Sequence, residues 1–202
     1  MSEIDASPTL SRRCNWANSA PEFADYHDRE WGFPVADDHR LFEKICLEGF
    51  QSGLSWRTIL NKRENFRRAF CGFDFTQIAR FDESDVARLL DDSGIVRHRR
   101  KIEAVINNAR CAVELVAERG SLAAFFWRFE EQPMDGQQAQ IRSTSPLSIK
   151  LAAELKKRGW AFVGPTTAYA FMQAMGLVND HAEYCSTADK VAEARARFIP
   201  PK

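Results

Sequence analysis

The stretch Leu41–Trp56, LFEKICLEGFQSGLSW, decides the fold class. Leu41, Phe42, Ile45, Cys46 and Gly49 recur at helical spacing, so the run opens as an amphipathic helix. Glu48 lies at the edge of that apolar face, beside Leu41 and Ile45. Gly49 and Gly53 then punctuate the run, and Leu54 and Trp56 follow. A carboxylate beside an apolar stripe, followed by small residues and an indole, suits a pocket wall. There it would be poorly solvated and open to a specific partner. The same spacing suits a carboxylate that faces solvent from the helix rim or caps a neighbour, and the run alone leaves both open.

Outward from this helix, the same periodicity predicts an all-α chain. Asp37 or Asp38 can cap the central helix. Before it, Pro21 after Asn18-Ser19 starts a short helix through Tyr26 and His27. After it, a helix from about Ser55 to Phe70 turns Trp56, Ile59, Leu60, Phe66 and Phe70 inward. Asp82 caps a helix over Glu83–Asp92, Gly94 stops it, and Arg97 begins a long helix reaching Arg119. Gly120 ends that helix and Ser121 caps the next, over Leu122–Glu130. Residues 131–144 read as a polar loop. Ser145-Pro146 and Gly164-Pro165 open two more helices, ending near Gly159 and Gly176. Residues 1–12 and 191–202 read as tails around one domain over 13–190. No stretch reads as a strand or a repeat.

Composition narrows the function classes. The chain has 202 residues, 45% of them hydrophobic, enough for one substantial core. No apolar run is long enough to cross a membrane, and the first residues lack the pattern of a signal peptide. The expectation is a cytoplasmic, nucleoid-associated monomer without membrane contact. Five cysteines, Cys14, Cys46, Cys71, Cys111 and Cys185, favour metal binding or burial over disulfides in such a compartment. The 28 basic and 28 acidic residues cancel, but the basic ones cluster, as at Arg97, Arg99, Arg100 and Lys101. One basic face is enough for phosphate contacts even in a neutral chain.

Three constellations carry chemistry. The first spans about residues 89–102. A helix ends at Gly94, Ile95 and Val96 form the turn, and a basic helix follows. A helix start with unpaired N–H groups, flanked by arginines, is a phosphate seat that reads no sequence. An ordinary helical corner with solvent-facing arginines would look the same. The second joins Cys14 and His27 to His181 and Cys185. Two thiolates and two imidazoles make a closed tetrahedral zinc shell, which would tie residues 13–30 to 177–186. Two unrelated cysteines and two surface histidines remain the alternative. The third is aromatic: Trp16, Tyr26, Trp31 and Trp56, with Phe50. As a set they suit a slot for a flat base; singly they suit core packing.

Several ordered motifs then resemble one family. They are Cys14-x-Trp16, Tyr26-His27-Asp28-x-Glu30-Trp31-Gly32, Leu47-Glu48-Gly49, Gly53-Leu54-Ser55-Trp56 and Lys62-Arg63-Glu64. Gly94-Ile95-x-Arg97-His98, Lys101-Ile102, Phe162-Val163-Gly164 and Gly176-Leu177-Val178-Asn179-Asp180-His181 continue the series. Over about residues 13–185 the chain resembles the 3-methyladenine DNA glycosylase I family. The resemblance implies a helix-hairpin-helix DNA repair enzyme with one structural zinc at Cys14, His27, His181 and Cys185. It implies that Glu48, Tyr26, Trp56 and Trp16 hold the alkylated base, with Trp31 beside them. It also implies that Gly94, Ile95, Arg97, Arg99 and Lys101 hold the backbone of alkylated double-stranded DNA. Phe23 stands where a family member has tyrosine, and Phe50 where it has glutamine, which puts the pocket rim in question.

The resemblance further implies excision of N3-methyladenine by hydrolysis, leaving an abasic site. The methylated base is cationic and departs neutral, so extraction from the stack and capture are the enzyme's main tasks. No lysine nucleophile is evident in the sequence, which favours a monofunctional hydrolase. A non-catalytic DNA-binding module and a zinc protein without DNA are the competing classes. Base release and salt-dependent DNA binding would separate them.

Overall fold

In the computed structural model, residues 12–132 and 142–202 are described. The central helix, α2 (Asp38–Gln51), is enclosed on several sides. It packs against α3 (Trp56–Ala69), α6 (Arg99–Arg119), α7 (Leu122–Phe126) and α9 (Pro165–Ala174). Every residue from Leu41 to Phe50 is therefore buried, including Glu43, Lys44 and Glu48. A one-sided apolar stripe underestimates this helix, because its charged residues also had to find partners inside.

The remaining helices are α1 (Pro21–Arg29), α4 (Phe75–Ile78), α5 (Glu83–Asp91), α8 (Pro146–Lys157) and α10 (Ala188–Arg197). No strand occurs among the described residues, as the periodicity predicts. Local chemistry explains the boundaries. The Asp37 carboxylate accepts from the Arg40 amide at 2.8 Å and starts α2. Asp38, the other candidate cap, instead accepts from the Leu122 and Ala123 amides at 3.0 and 2.9 Å, fixing α7 onto α2. Capping boxes start α5 at Asp82 and α8 at Ser145. Gly120, at φ +84°, closes α6 in a conformation that costs other residues more.

Four expectations need correction. The long basic helix starts at Arg99, not Arg97, because the His98 ring accepts from the Lys101 amide and caps it there. Residues 188–197 form α10 where a loose tail was expected; Val191 is fully buried and anchors it. Leu122–Glu130 divides into α7 and a 3₁₀ turn, Trp127–Phe129. Phe50 belongs to the core: it is 1% exposed and packs on Phe66 at 4.6 Å between ring centroids. The expected tail over 1–12 falls outside the described residues except for Arg12, and most of the 131–144 loop lies outside them too. One hydrophobic core runs from Cys14 to Cys185, so both ends of the described chain pack on the same interior.

Candidate functional site

A cavity of about 840 Å³ opens where α1, α2 and the start of α3 meet residues 180–184. Trp16, Phe23, Tyr26, Trp31, Glu48 and Trp56 line one end of it. The residues expected to hold a base thus come together, although they are spread over about 40 positions of sequence. Tyr26 and Trp56 lie 5.5 Å apart between ring centroids, and Trp16 meets Trp31 edge-on at 5.2 Å. Phe23 stands edge-on to Trp16 at 5.8 Å, so it shapes the wall without a hydroxyl. Trp31 is only 9% exposed, and its ring also meets His181 at 4.6 Å. It links the cavity to the cysteine and histidine cluster.

Glu48 faces the cavity from inside the helix bundle at 6% exposure, which rules out the solvent-facing rim. Its carboxylate accepts from the Lys44 ammonium at 2.8 Å, one helical turn earlier. Lys44 also donates to the Tyr26 hydroxyl at 2.6 Å and sits 3.5 Å from the centroid of the Trp56 ring. Sequence reading missed Lys44. Its only signal was the i, i+4 spacing to Glu48, which on most helices marks a solvated surface pair. Burial pushes the Lys44 ammonium below its ordinary pKa, while the Glu48 carboxylate opposes that shift. Burial, aided by the Glu48 charge, pushes the Tyr26 phenol well above its ordinary range. Tyr26 is therefore a neutral hydroxyl at working pH.

The far end of the cavity carries Arg142, Gln173 and Asp180. Asp180 accepts from the Tyr169 hydroxyl and from Gln173 at 2.9 Å, which fixes its carboxylate. Arg142 and Gln173 were not singled out from sequence, and Asp180 only as part of the Gly176–His181 motif.

Beside the cavity, donor atoms of Cys14, His27 and Cys185 all lie within 4.8 Å of one another. His27 turns Nδ1 to the Asp28 carboxylate at 2.8 Å and leaves Nε2 facing Cys185 Sγ at 3.5 Å. His181 stands next to this trio, its ring 5.0 Å from that of His27. Its Nδ1 is held by Asn179 at 2.9 Å, while its Nε2 is buried and has no hydrogen-bond partner. Burial lowers the His181 pKa to about 4, keeping the ring neutral, and raises the Cys14 thiol to about 11. Gly32 allows this packing, since a Cβ there would come within 2.7 Å of the His181 ring.

The expected phosphate seat separates into different roles. The Gly94 amide donates to Asp92 Oδ1 at 2.7 Å and the Ile95 amide to the Asp92 carbonyl at 3.3 Å. Both N–H groups are engaged within the turn. Ile95 itself is buried and pins the turn to the core. Lys101 is also corrected. It is 7% exposed and donates to the Phe50 and Ser52 carbonyls at 2.8 and 2.6 Å, closing the C-terminal end of α2. Arg99 is exposed but engaged with Glu83 at 2.7 Å and Glu103 at 3.2 Å. Arg97 and Arg100 are exposed and make no ion pair among the described residues.

Comparison with known proteins follows the same outline. A family model described as methyladenine glycosylase matches residues 16–188. DNA-3-methyladenine glycosylase 1 of Escherichia coli is 48% identical over 177 residues, covering 86% of this chain and 95% of that protein. A crystal structure of 3-methyladenine DNA glycosylase I superposes with a TM-score of 0.82 at 50% identity, covering 87% of this chain and 98% of that one. A Staphylococcus aureus 3-methyladenine DNA glycosylase I, solved to explain its recognition of 3-methyladenine, gives a TM-score of 0.82 at 33% identity. That match covers 87% of this chain and 96% of the other.

Proposed function

The chain belongs to the methyladenine glycosylase family, and from its site we infer that Glu48, Tyr26 and Trp56 capture the flipped base during excision of 3-methyladenine from DNA. The observation that carries this reading is the juxtaposition of a buried carboxylate and a neutral phenol with an indole at one end of a base-sized cavity. The base stacks against the indoles, its exocyclic amino group donates to Glu48, and the Tyr26 hydroxyl offers a donor to a ring nitrogen. In the reaction the bond from C1′ to the base breaks and its electron pair neutralises the base. Water supplies the new oxygen on C1′, a proton passes to solvent, and an abasic site remains. Among the described residues no lysine lines the cavity, and Lys44 is committed behind Tyr26 and Trp56. That supports a monofunctional hydrolase.

The α5–α6 turn acts as the helix-hairpin-helix contact to alkylated duplex DNA in this reading. Arg97 and Arg100 provide the counter-charge. Among the described residues, the Val96 and Arg97 amides have no acceptor and are available to phosphate oxygens. The residues assigned to base capture all come from one chain, and the reading is of a monomer.

The donor set also suits a structural zinc ion held by Cys14, His27, His181 and Cys185. Two thiols and the His27 imidazole converge, the His181 ring stands 5.0 Å from that of His27, Asp28 and Asn179 orient the two rings, and the His181 Nε2 is buried without a hydrogen-bond partner. Such an ion would cross-link the chain ends and stiffen the wall bearing Trp16 and Trp31. Purified protein should contain about one zinc per chain. Cys185→Ser should lower both the zinc content and the melting temperature; unchanged values for both would exclude the site.

The decisive experiment for the activity is chromatography of the bases released from methylated duplex DNA. Release of 3-methyladenine, with abasic sites in equal amount, is expected. DNA binding without base release would leave only a binding module.

A further inference from the structure

Nothing in base capture uses α10, which begins where the family model's match over residues 16–188 ends. Ala188, Val191 and Arg195 recur on it at helical spacing, so one face makes its main contacts. At the start of the helix, the Ala188 carbonyl accepts from Asn179 Nδ2 at 3.3 Å. That bond fixes which way the Asn179 amide points. Its oxygen accepts from the His181 amide at 3.3 Å and faces His181 Nδ1 at 2.9 Å. An amide oxygen only accepts, so the His181 ring carries its proton on Nδ1 and keeps the lone pair on the buried Nε2. Val191 is fully buried. A Cβ at Gly32 would meet the His181 ring at 2.7 Å and Val191 Cγ1 at 3.5 Å, so valine and imidazole flank the same glycine. One turn further, Arg195 donates to Glu130 Oε1 at 3.0 Å and to the Glu131 carbonyl at 2.7 Å. The Glu131 amide donates to the Leu177 carbonyl at 2.8 Å, at the head of the segment that leads to His181. Phe198 closes the far end on Trp127, with 4.3 Å between ring centroids.

We propose that α10 is a strap that positions His181 as a metal ligand and controls how fast the metal leaves. The Ala188 carbonyl sets the ring's tautomer through Asn179, Val191 holds the ring in place, and Arg195 ties the strap down. This rests on the reading of Cys14, His27, His181 and Cys185 as a zinc site. His181 stands beside the trio of Cys14, His27 and Cys185, so its orientation decides whether the set of ligands closes. A ligand on a surface segment is lost by local opening, and the element that must move first sets the rate of that opening. Here that element is α10, because its contacts run from the Asn179 amide at one end to the 127–131 segment at the other.

The test follows zinc leaving the whole chain for excess pyridylazoresorcinol under native conditions, in wild type, Val191→Ala, Arg195→Met and Leu89→Ala. Arg195 bonds to none of the four candidate ligands. Leu89 is a fully buried residue of α5, which packs on α6 instead. Val191→Ala and Arg195→Met should each release zinc about tenfold faster than wild type, the effect on a local opening of losing a buried contact or a charged hydrogen bond. Leu89→Ala weakens the core as a whole and should release zinc at the wild-type rate. Equal acceleration in all three variants would mean that zinc leaves by global unfolding, and unchanged rates in both α10 variants would mean that the strap holds nothing; either result overturns the proposal. Cobalt-loaded protein gives a signature that stability alone does not move. The visible ligand-field bands of Val191→Ala should differ from those of wild type in position or intensity, because the His181 ring is released to turn. Superimposable spectra would overturn the proposal. Wild-type protein that bound neither zinc nor cobalt would refute the metal reading and this inference together. Bound zinc with unmoved α10 variants would refute the inference alone.

Discussion

The base cavity and the α5–α6 turn use charge in opposite ways. Along α2, at the cavity's inner side, charged side chains are buried and each is held by a named partner: Glu48 by Lys44, Glu43 by Arg67. At the turn, Arg97 and Arg100 are exposed and have no ion-pair partner among the described residues. The first arrangement suits recognition of one small group, because buried partners fix donors and acceptors in place. The second suits a polyanion, because mobile exposed cations exchange counterions for phosphates without requiring one geometry. Lys101 separates the two regions. It belongs to the basic run in sequence, yet its ammonium closes α2 beside the cavity.

That contrast can be broken at three places. The largest effect is expected at Glu48. Glu48→Gln keeps one acceptor but loses the charge-assisted bond. Release of 3-methyladenine should slow by the equivalent of about 1.5–3 kcal/mol, while duplex affinity barely moves. Measuring both on the same folded variant decides it; wild-type release would remove Glu48 from the site. Next is Lys101. Lys101→Ala strips the partner from two carbonyls at the end of α2 and should cost about 1–3 kcal/mol of stability. Denaturant titration reads this directly, and the salt dependence of DNA binding should stay as in wild type. A reduced salt slope in that variant would return Lys101 to the DNA face. The smallest effect on stability is expected from Arg97→Ala with Arg100→Ala. The plot of log affinity against log salt should flatten by about two units, roughly one per lost phosphate contact, with little change in stability. An unaltered slope would place the DNA elsewhere.

Much of the site was legible in the sequence. The helix period put Glu48 next to an apolar face, and the family motifs carried Tyr26, Trp56 and Trp16 to positions that do line one cavity. The turn at Gly94 was legible because Gly and the following basic run punctuate two clear helical patterns. Lys44 was not, because a lysine four residues before a glutamate normally marks a water-facing surface. Nor were the separate fates of Arg99 and Lys101, which share a run of identical charge but point to different surroundings. Phe50 was placed at the rim because a family member has glutamine there, whereas its ring packs on Phe66. The helix at 188–197 was missed because its polar pattern, with only Val191 fully buried, resembles that of a tail.

The sequence by itself determined the helical class, most helix boundaries, the family and the residue types available for capture and ligation. Those follow from local periodicity, capping chemistry and ordered motifs. Tertiary structure alone decided which charges are inside. Enclosing α2 among α3, α6, α7 and α9 removed water from Glu43, Lys44 and Glu48, and a charge without water must be paired. Partner choice then depended on which side chains from distant segments reached the same interior. No pattern within α2 could specify that.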